Sequence, residues 1–130
     1  MQFLTKEAIK AHKAPVKMVK VEIPEWEGYV FVREVTARGR DIFEDSTFEI
    51  DEKGKVRLRS MQSRRALLVV LSTCDENGDF VFDMDDIGWL GEKQYSAVER
   101  IYKAAQELNG MTAEKAEKNF ETPAESSSSD

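Results

Sequence analysis

The sequence predicts an α+β fold, mainly α-helical, in which an N-terminal β-hairpin packs on a helical core. Three observations predict it. Val19, Val21 and Ile23 alternate with Lys20 and Glu22, and a second β-branched and aromatic run, Tyr29 to Val35, follows the break at Pro24 to Gly28. Six consecutive apolar residues, Ala66 to Leu71, sit mid-chain. Tyr95, Val98, Ile101, Tyr102, Ala105 and Leu108 keep the 3, 4 spacing of an amphipathic helix.

In chain order, Thr5 is an N-cap for a short helix, with Glu7 in the first turn where the helix dipole favours an acid. Phe3 and Ile9 are placed to form a hydrophobic staple, and Pro15 ends the segment. The strand pair covers Val16 to Ile23 and Tyr29 to Val35. Trp26, at its turn, either anchors a partner or folds back over its own hairpin. Thr36 caps a helix over Ala37 to Glu44 that turns Ile42 and Phe43 inward and is weakened by Gly39. Asp45 to Lys55 is expected to be a loop with an Asp51-Glu52-Lys53-Gly54 turn, anchored by Phe48 and Ile50.

The stretch from Val56 to Phe82 is expected to be a buried central helix and its exit turn, with Leu58, Met61, Arg65 and Leu68 on one face. Ala66 to Leu71 leave that helix no polar face, so it is covered on several sides, part of it by self-association. Arg57, Arg59, Arg64 and Arg65 at its start form either an acid-binding patch or a solvated face. The lone Cys74 fits a small buried residue at the helix end. Asp75-Glu76-Asn77-Gly78-Asp79 is a turn and not a calcium loop: with Asp75 first, Gly78 falls at position 4, Phe80 at 6 and Asp86 at 12, where an EF-hand needs Gly at 6 and Glu at 12. Phe80 to Phe82 is a short extended return.

Asp83 to Asp86 supply acids to a helix start, with Ile87, Trp89 and Leu90 as its buried residues and Gly91 as its stop. Trp89 is also, with Trp26, a candidate partner-surface residue. The helix from Tyr95 ends at Asn109-Gly110. Thr112 caps a last helix through Asn119, and residues 121–130, ending in four serines, form a disordered tail beyond a single domain of residues 1–120.

Composition excludes several function classes. The longest apolar run is far below the roughly 20 residues of a membrane span, and the first residues carry no secretory signal. Residues 1–65 hold 14 Lys and Arg against 11 Asp and Glu; residues 66–130 hold 5 against 14. This balance argues against nucleic acid as a partner. The two halves either neutralise each other within one fold or attract opposite ends of two copies. A single histidine, His12, on a Lys-flanked segment, and the absence of a Gly-rich phosphate loop, a nucleophile elbow or a metal motif, predict no catalysis, no cofactor and no metal site.

Taken together, LTKEAI, VEIPEWEGYVFVREVTARGRDIFE, RLRSMQSRRALLVVLSTCDENGDFVF, DIGWLGEKQYSAVERIYKAAQELNGM and the closing AEKNF resemble the tail assembly chaperones of long-tailed bacteriophages with flexible, non-contractile tails. The resemblance spans most of residues 3–120, and Pro24, Trp26, Gly28, Asp75, Gly78 and Leu90 to Lys93 carry it. It implies a non-enzymatic factor of the host cytoplasm, absent from the virion, that coats the tape measure protein until tail tube protein polymerises around it. It also implies self-association as a homo-oligomer, in a ring or spiral, and a companion form extended by ribosomal frameshifting, of which this chain is the short version. Met18, Met61, Met84 and Met111 are candidates to line a groove for client helices. The alternative reading is a structural virion component, such as a head-tail connector or tail-completion protein.

Overall fold

The strand pair and its turn form the N-terminal frame. The computed structural model describes residues 1–13, 15–58 and 63–111. Ahead of the frame, α1 (Lys6–Ala11) starts at Thr5, whose Oγ1 accepts from the Ala8 amide at 3.1 Å. No residue of α1 is buried, and Phe3 and Ile9 both stay exposed, so the expected staple does not close.

β1 (Met18–Ile23) and β2 (Gly28–Arg33) pair antiparallel, with Met18 opposite Arg33 and Ile23 opposite Gly28. The link is a 3-10 turn, Pro24–Trp26, closed by Glu27 at a left-handed φ of 54°. Ile23 and Val32 fill the inner face, while Val19 remains exposed. A third strand, β5 (Thr73–Cys74), extends the sheet in the order β1-β2-β5, with Cys74 opposite Phe31. Two residues are too few to show an alternating pattern in the sequence.

Thr36 caps α2 (Ala37–Thr47) by accepting from the Gly39 amide at 3.0 Å. Gly39 marks a close approach and not a defect: a Cβ there would lie 3.2 Å from Thr36 Oγ1 and 3.7 Å from Leu71 Cδ2. Phe43 is buried as expected. The following stretch is not a loop. β3 (Phe48–Ile50) and β4 (Val56–Leu58) form a second hairpin. Asp51 builds its turn, its Oδ1 accepting from the amides of Lys53 and Lys55, each at 2.9 Å.

The central helix is shorter than the sequence predicts. α3 runs over Arg64–Ser72, and Val56 to Leu58 belong to β4 instead. Ser63, at φ 63°, precedes it, and Met61 lies outside the described residues. α5 (Tyr95–Asn109), α2 and α4 (Ile87–Leu90) pack around α3. Ala66 to Val70 are all buried within one chain, so no second subunit is needed to cover them. Burying a Leu or Val side chain stabilises by roughly 1.5–3 kcal/mol, so this apolar run is a main source of cohesion. The Ser72 hydroxyl, buried at the end of the run, is satisfied by donating to Leu68 O at 2.7 Å.

Beyond β5, Asp75 organises the exit turn: its Oδ1 accepts from Asn77 N at 2.8 Å and Asp79 N at 3.1 Å, and Gly78 takes φ 86°. Phe80 bridges back to Cys74. Asp83 and Asp86 form a capping box around the 3-10 turn Met84–Asp86 that leads into α4. α5 buries Ala97, Val98, Ile101, Tyr102 and Ala105 against α3 and the inner face of the β1-β2 pair. Tyr95, expected on that stripe, is 62% exposed. Gly110 ends α5 at φ 67°, with Met111 N donating to Gln106 O at 2.7 Å. Asn109 clasps this end to the sheet and α2: its Oδ1 accepts from Val35 N at 2.9 Å, and its carbonyl accepts from Arg40 Nη1 at 2.7 Å. Met111 is buried in the core, and the helix and tail expected over residues 112–130 lie outside the described residues.

Candidate functional site

Cys74 and His12, the lone cysteine and the lone histidine of the chain, stand far apart in the sequence and on different elements. Cys74 is buried, its Sγ 3.9 Å from Met18 Sδ, and burial pushes its thiol up from the ordinary value. His12 is the exposed C-cap residue of α1. Among the described residues no three His, Cys, Asp or Glu side chains gather as a metal cluster. The candidate partner-contact residues fall on three parts of the surface.

The first is the start of α3. Arg65 Nε donates to Glu99 Oε1 at 2.8 Å, and its guanidinium lies 5.2 Å from the Tyr95 ring centre and 5.4 Å from that of Tyr102. The Glu99 carboxylate holds Arg65 charged more firmly than usual. Arg64 Nε is buried with no hydrogen-bond partner among the described residues. Arg57 sits on β4, in the other hairpin, and Arg59 lies outside the described residues. The structure thus places Arg57 on a different element from the adjacent pair Arg64 and Arg65, because the predicted helix is interrupted.

The second is the hairpin. Trp26, exposed on the turn, neighbours Glu25, whose carboxylate accepts from Arg100 Nε at 2.8 Å and 3.0 Å. That guanidinium lowers the Glu25 pKa and ties the turn to α5. On the outer face of the sheet, the alternation of β2 places Phe31 and Tyr29 side by side. Their rings meet edge to face at 5.8 Å, Lys20 Nζ lies 4.3 Å over Tyr29, and Arg33 stacks 4.5 Å over Phe80. Tyr29 and Phe80 are exposed, so this outer face carries an aromatic row that the sequence analysis passed over. Its signal was present in the strand alternation itself: Tyr29 and Phe31 occupy the positions opposite in phase to the buried Val32.

The third is the acidic run from Asp75 to Asp86 with α4. Trp89, expected to be buried, is 47% exposed. Its Nε1 donates to Asp86 Oδ1 at 2.8 Å, and its ring meets Phe82 edge to face at 5.8 Å. Val81 and Met84, earlier in the same run, are exposed as well. Met84 and Met111 are therefore separated, one on the surface and one in the core.

Comparison with known proteins bears on what these surfaces serve. A family model described as phage tail assembly chaperone matches residues 4–119. The solved structure of the bacteriophage HK97 tail assembly chaperone is similar in fold, with a TM-score of 0.54 and 22% identity, over 79% of this chain and 90% of that one. No curated protein sequence matches.

Proposed function

We propose that this chain, which belongs to the phage tail assembly chaperone family, serves tail assembly by binding the tape measure protein and keeping it soluble until tail tube subunits polymerise around it. The observation that carries the reading is the family match over residues 4–119, nearly the whole chain. The surface chemistry supports it. A client of long amphipathic helices needs apolar area that stays open in the free chaperone, and the outer sheet face offers Tyr29 and Phe31 flanked by Lys20 and Arg33. Aromatic rings give large contact area at small entropic cost, while the flanking cations select an acidic rim on the client. Trp26, Trp89 and the arginines Arg57, Arg59, Arg64 and Arg65 remain candidates for contacts to the client or between copies.

On this reading the protein has no catalytic step, acts in the host cytoplasm, self-associates, works with a frameshift-extended form and the tail tube protein, and leaves before the virion is complete. Co-expression with the tape measure protein of the same phage tests it. The client stays soluble and co-purifies with the chaperone if the proposal holds; an insoluble client that does not co-purify overturns it. Mass spectrometry of purified particles separates it from a structural virion role, since the chaperone is then missing.

A further inference from the structure

The outer face of the three-stranded sheet is aromatic and open. Strand register sets Lys20 opposite Phe31 and Glu22 opposite Tyr29, and Cys74, opposite both Phe31 and Phe80, carries the same face across β5. Residues paired across a ladder point to one side of a sheet, so these side chains share a surface. Their contacts agree: the rings of Tyr29 and Phe31 meet, Lys20 caps Tyr29 and Arg33 caps Phe80. α5 packs on the inner side with Ile23 and Val32, while Tyr29 and Phe80 remain 56% and 42% exposed. Charge is uneven along this face. Arg33 and Lys20 stand at the Met18 end, and the acid Glu22 stands toward the hairpin turn.

The described chain ends beside the cationic end of that face. Asn109 Oδ1 accepts from Val35 N at 2.9 Å and Asn109 Nδ2 donates to Arg33 O at 3.5 Å, so the last turn of α5 is pinned to the end of β2. Met111 follows, and residues 112–130 lie outside the described residues. That segment holds Glu114, Glu117, Glu121, Glu125 and Asp130 against Lys115 and Lys118, with a single aromatic, Phe120, between Glu117 and Glu121. Phe120 comes nine residues after Met111. Extended, such a length reaches ~30 Å, over twice the ~13 Å that strand geometry puts between Arg33 and Tyr29 along β2. Tethered this closely, the segment meets the face at an effective concentration on the order of 1 mM.

We infer that Phe120 packs on Tyr29, Phe31 and Phe80 of its own chain, with Glu117 and Glu121 against Lys20 and Arg33. The segment thereby occupies the outer sheet face in the free protein, and a client must displace it. An aromatic ring between acids is the chemistry that a row of rings capped by cations takes up. Only the competition rests on the reading of this face as the client surface; the occupancy itself is read without a client.

Paramagnetic broadening of backbone amides in the full chain tests the occupancy. With a spin label on Ser126→Cys and the buried Cys74 left in place, the amides of Lys20, Tyr29 and Phe31 are expected to lose about half their intensity. Ala97 and Val98, at the far end of α5, are expected to keep theirs. Adding Phe120→Ser is expected to restore the lost intensity. Should that variant fail to fold by circular dichroism, Glu117→Lys/Glu121→Lys takes its place with the same expected recovery. Mixing a labelled chain with an isotope-enriched, unlabelled one separates the chain's own segment from a neighbour's, and no broadening is expected in the mixture. The tape measure protein is expected to bind Phe120→Ser about threefold more tightly than the parent, the factor for a face two-thirds occupied. A client that binds neither chain defeats the proposed function, and the broadening alone then decides the occupancy. Tyr29 and Phe31 amides untouched by the label, broadening that survives Phe120→Ser, broadening in the mixture, or equal client affinity for the two chains overturns the inference.

Discussion

Arg65 and Glu99 join α3 to α5 within one chain, Nε to Oε1 at 2.8 Å, with the Arg65 guanidinium set between the rings of Tyr95 and Tyr102. The bond crosses 34 residues of sequence and closes part of the charge asymmetry inside the fold. Both side chains are partly open to water, 41% and 24% exposed, so screening limits what the pair contributes. Arg65→Gln and Glu99→Gln are each expected to lower stability by about 0.5–1 kcal/mol, with a coupling energy of similar size in a double-mutant cycle read by urea unfolding. Oligomer size is expected to be unchanged in Arg65→Gln, since its guanidinium already has a partner in its own chain.

Leu68 separates a core within one chain from a core completed by a neighbour. It is 0% exposed at the centre of α3. Leu68→Ala removes a filled volume that α5, α2 and α4 surround, and such truncations cost about 2–5 kcal/mol. The unfolding free energy read from urea titration is expected to fall by that amount equally at low and high protein concentration. A loss confined to high concentration contradicts burial within one chain.

Long elements were legible in the sequence because their periods repeat often enough to be read. The β1-β2 pair shows its alternation over six residues a side, and α5 shows four turns of 3, 4 spacing with Asn109-Gly110 at its end. β3, β4 and β5 hold three residues or fewer, so no period exists to detect. The spacing of Leu58, Met61, Arg65 and Leu68 fits a helix by coincidence; Ser63, in a left-handed conformation that serine rarely takes, precedes the true start at Arg64. Surface residues were harder still. An apolar type argues for burial, yet Trp89 gains an Asp86 bond and a Phe82 contact that leave its ring half in water. The Arg65 to Glu99 and Arg100 to Glu25 bonds join residues far apart in the chain, which no local pattern carries.

Gly91 and Ser63 meet where α4 packs beside the start of α3. A Cβ at residue 91 would lie 2.9 Å from Ser63 Oγ and 3.4 Å from the Ile87 carbonyl, whereas one at residue 88 meets nothing within 4 Å. Gly91→Ala is therefore expected to destabilise by about 1 kcal/mol, in the range of mild overpacking. Gly88→Ala, inside α4, is expected to stabilise by up to ~1 kcal/mol. Ser63→Gly relieves both the left-handed backbone, worth about 1 kcal/mol, and the clash, so the cost of Gly91→Ala is expected to shrink in that background. Thermal unfolding of the four variants reads all three effects.

Asp86 gives the protein an acid-sensitive contact with an optical readout. Its carboxyl is held below the usual range first by the Asp83 amide, which donates to Oδ2 at 2.8 Å, and then by Trp89 Nε1. A carboxylate whose folded pKa is depressed contributes stability that is fully present above the unfolded value, about 3.9, and is lost as pH falls through the folded value. Protonation removes an acceptor from Trp89 and half of the capping box ahead of α4. In a Trp26→Phe background, where Trp89 is the sole indole, its fluorescence is expected to hold steady from pH 7 down to about 4 and to change below that. Asp86→Asn alters the resting emission at neutral pH and abolishes the acid transition, because no titrating oxygen then faces the indole. A midpoint above the ordinary aspartate value of about 3.9 in the parent contradicts the depressed pKa and with it the capping role of the charge.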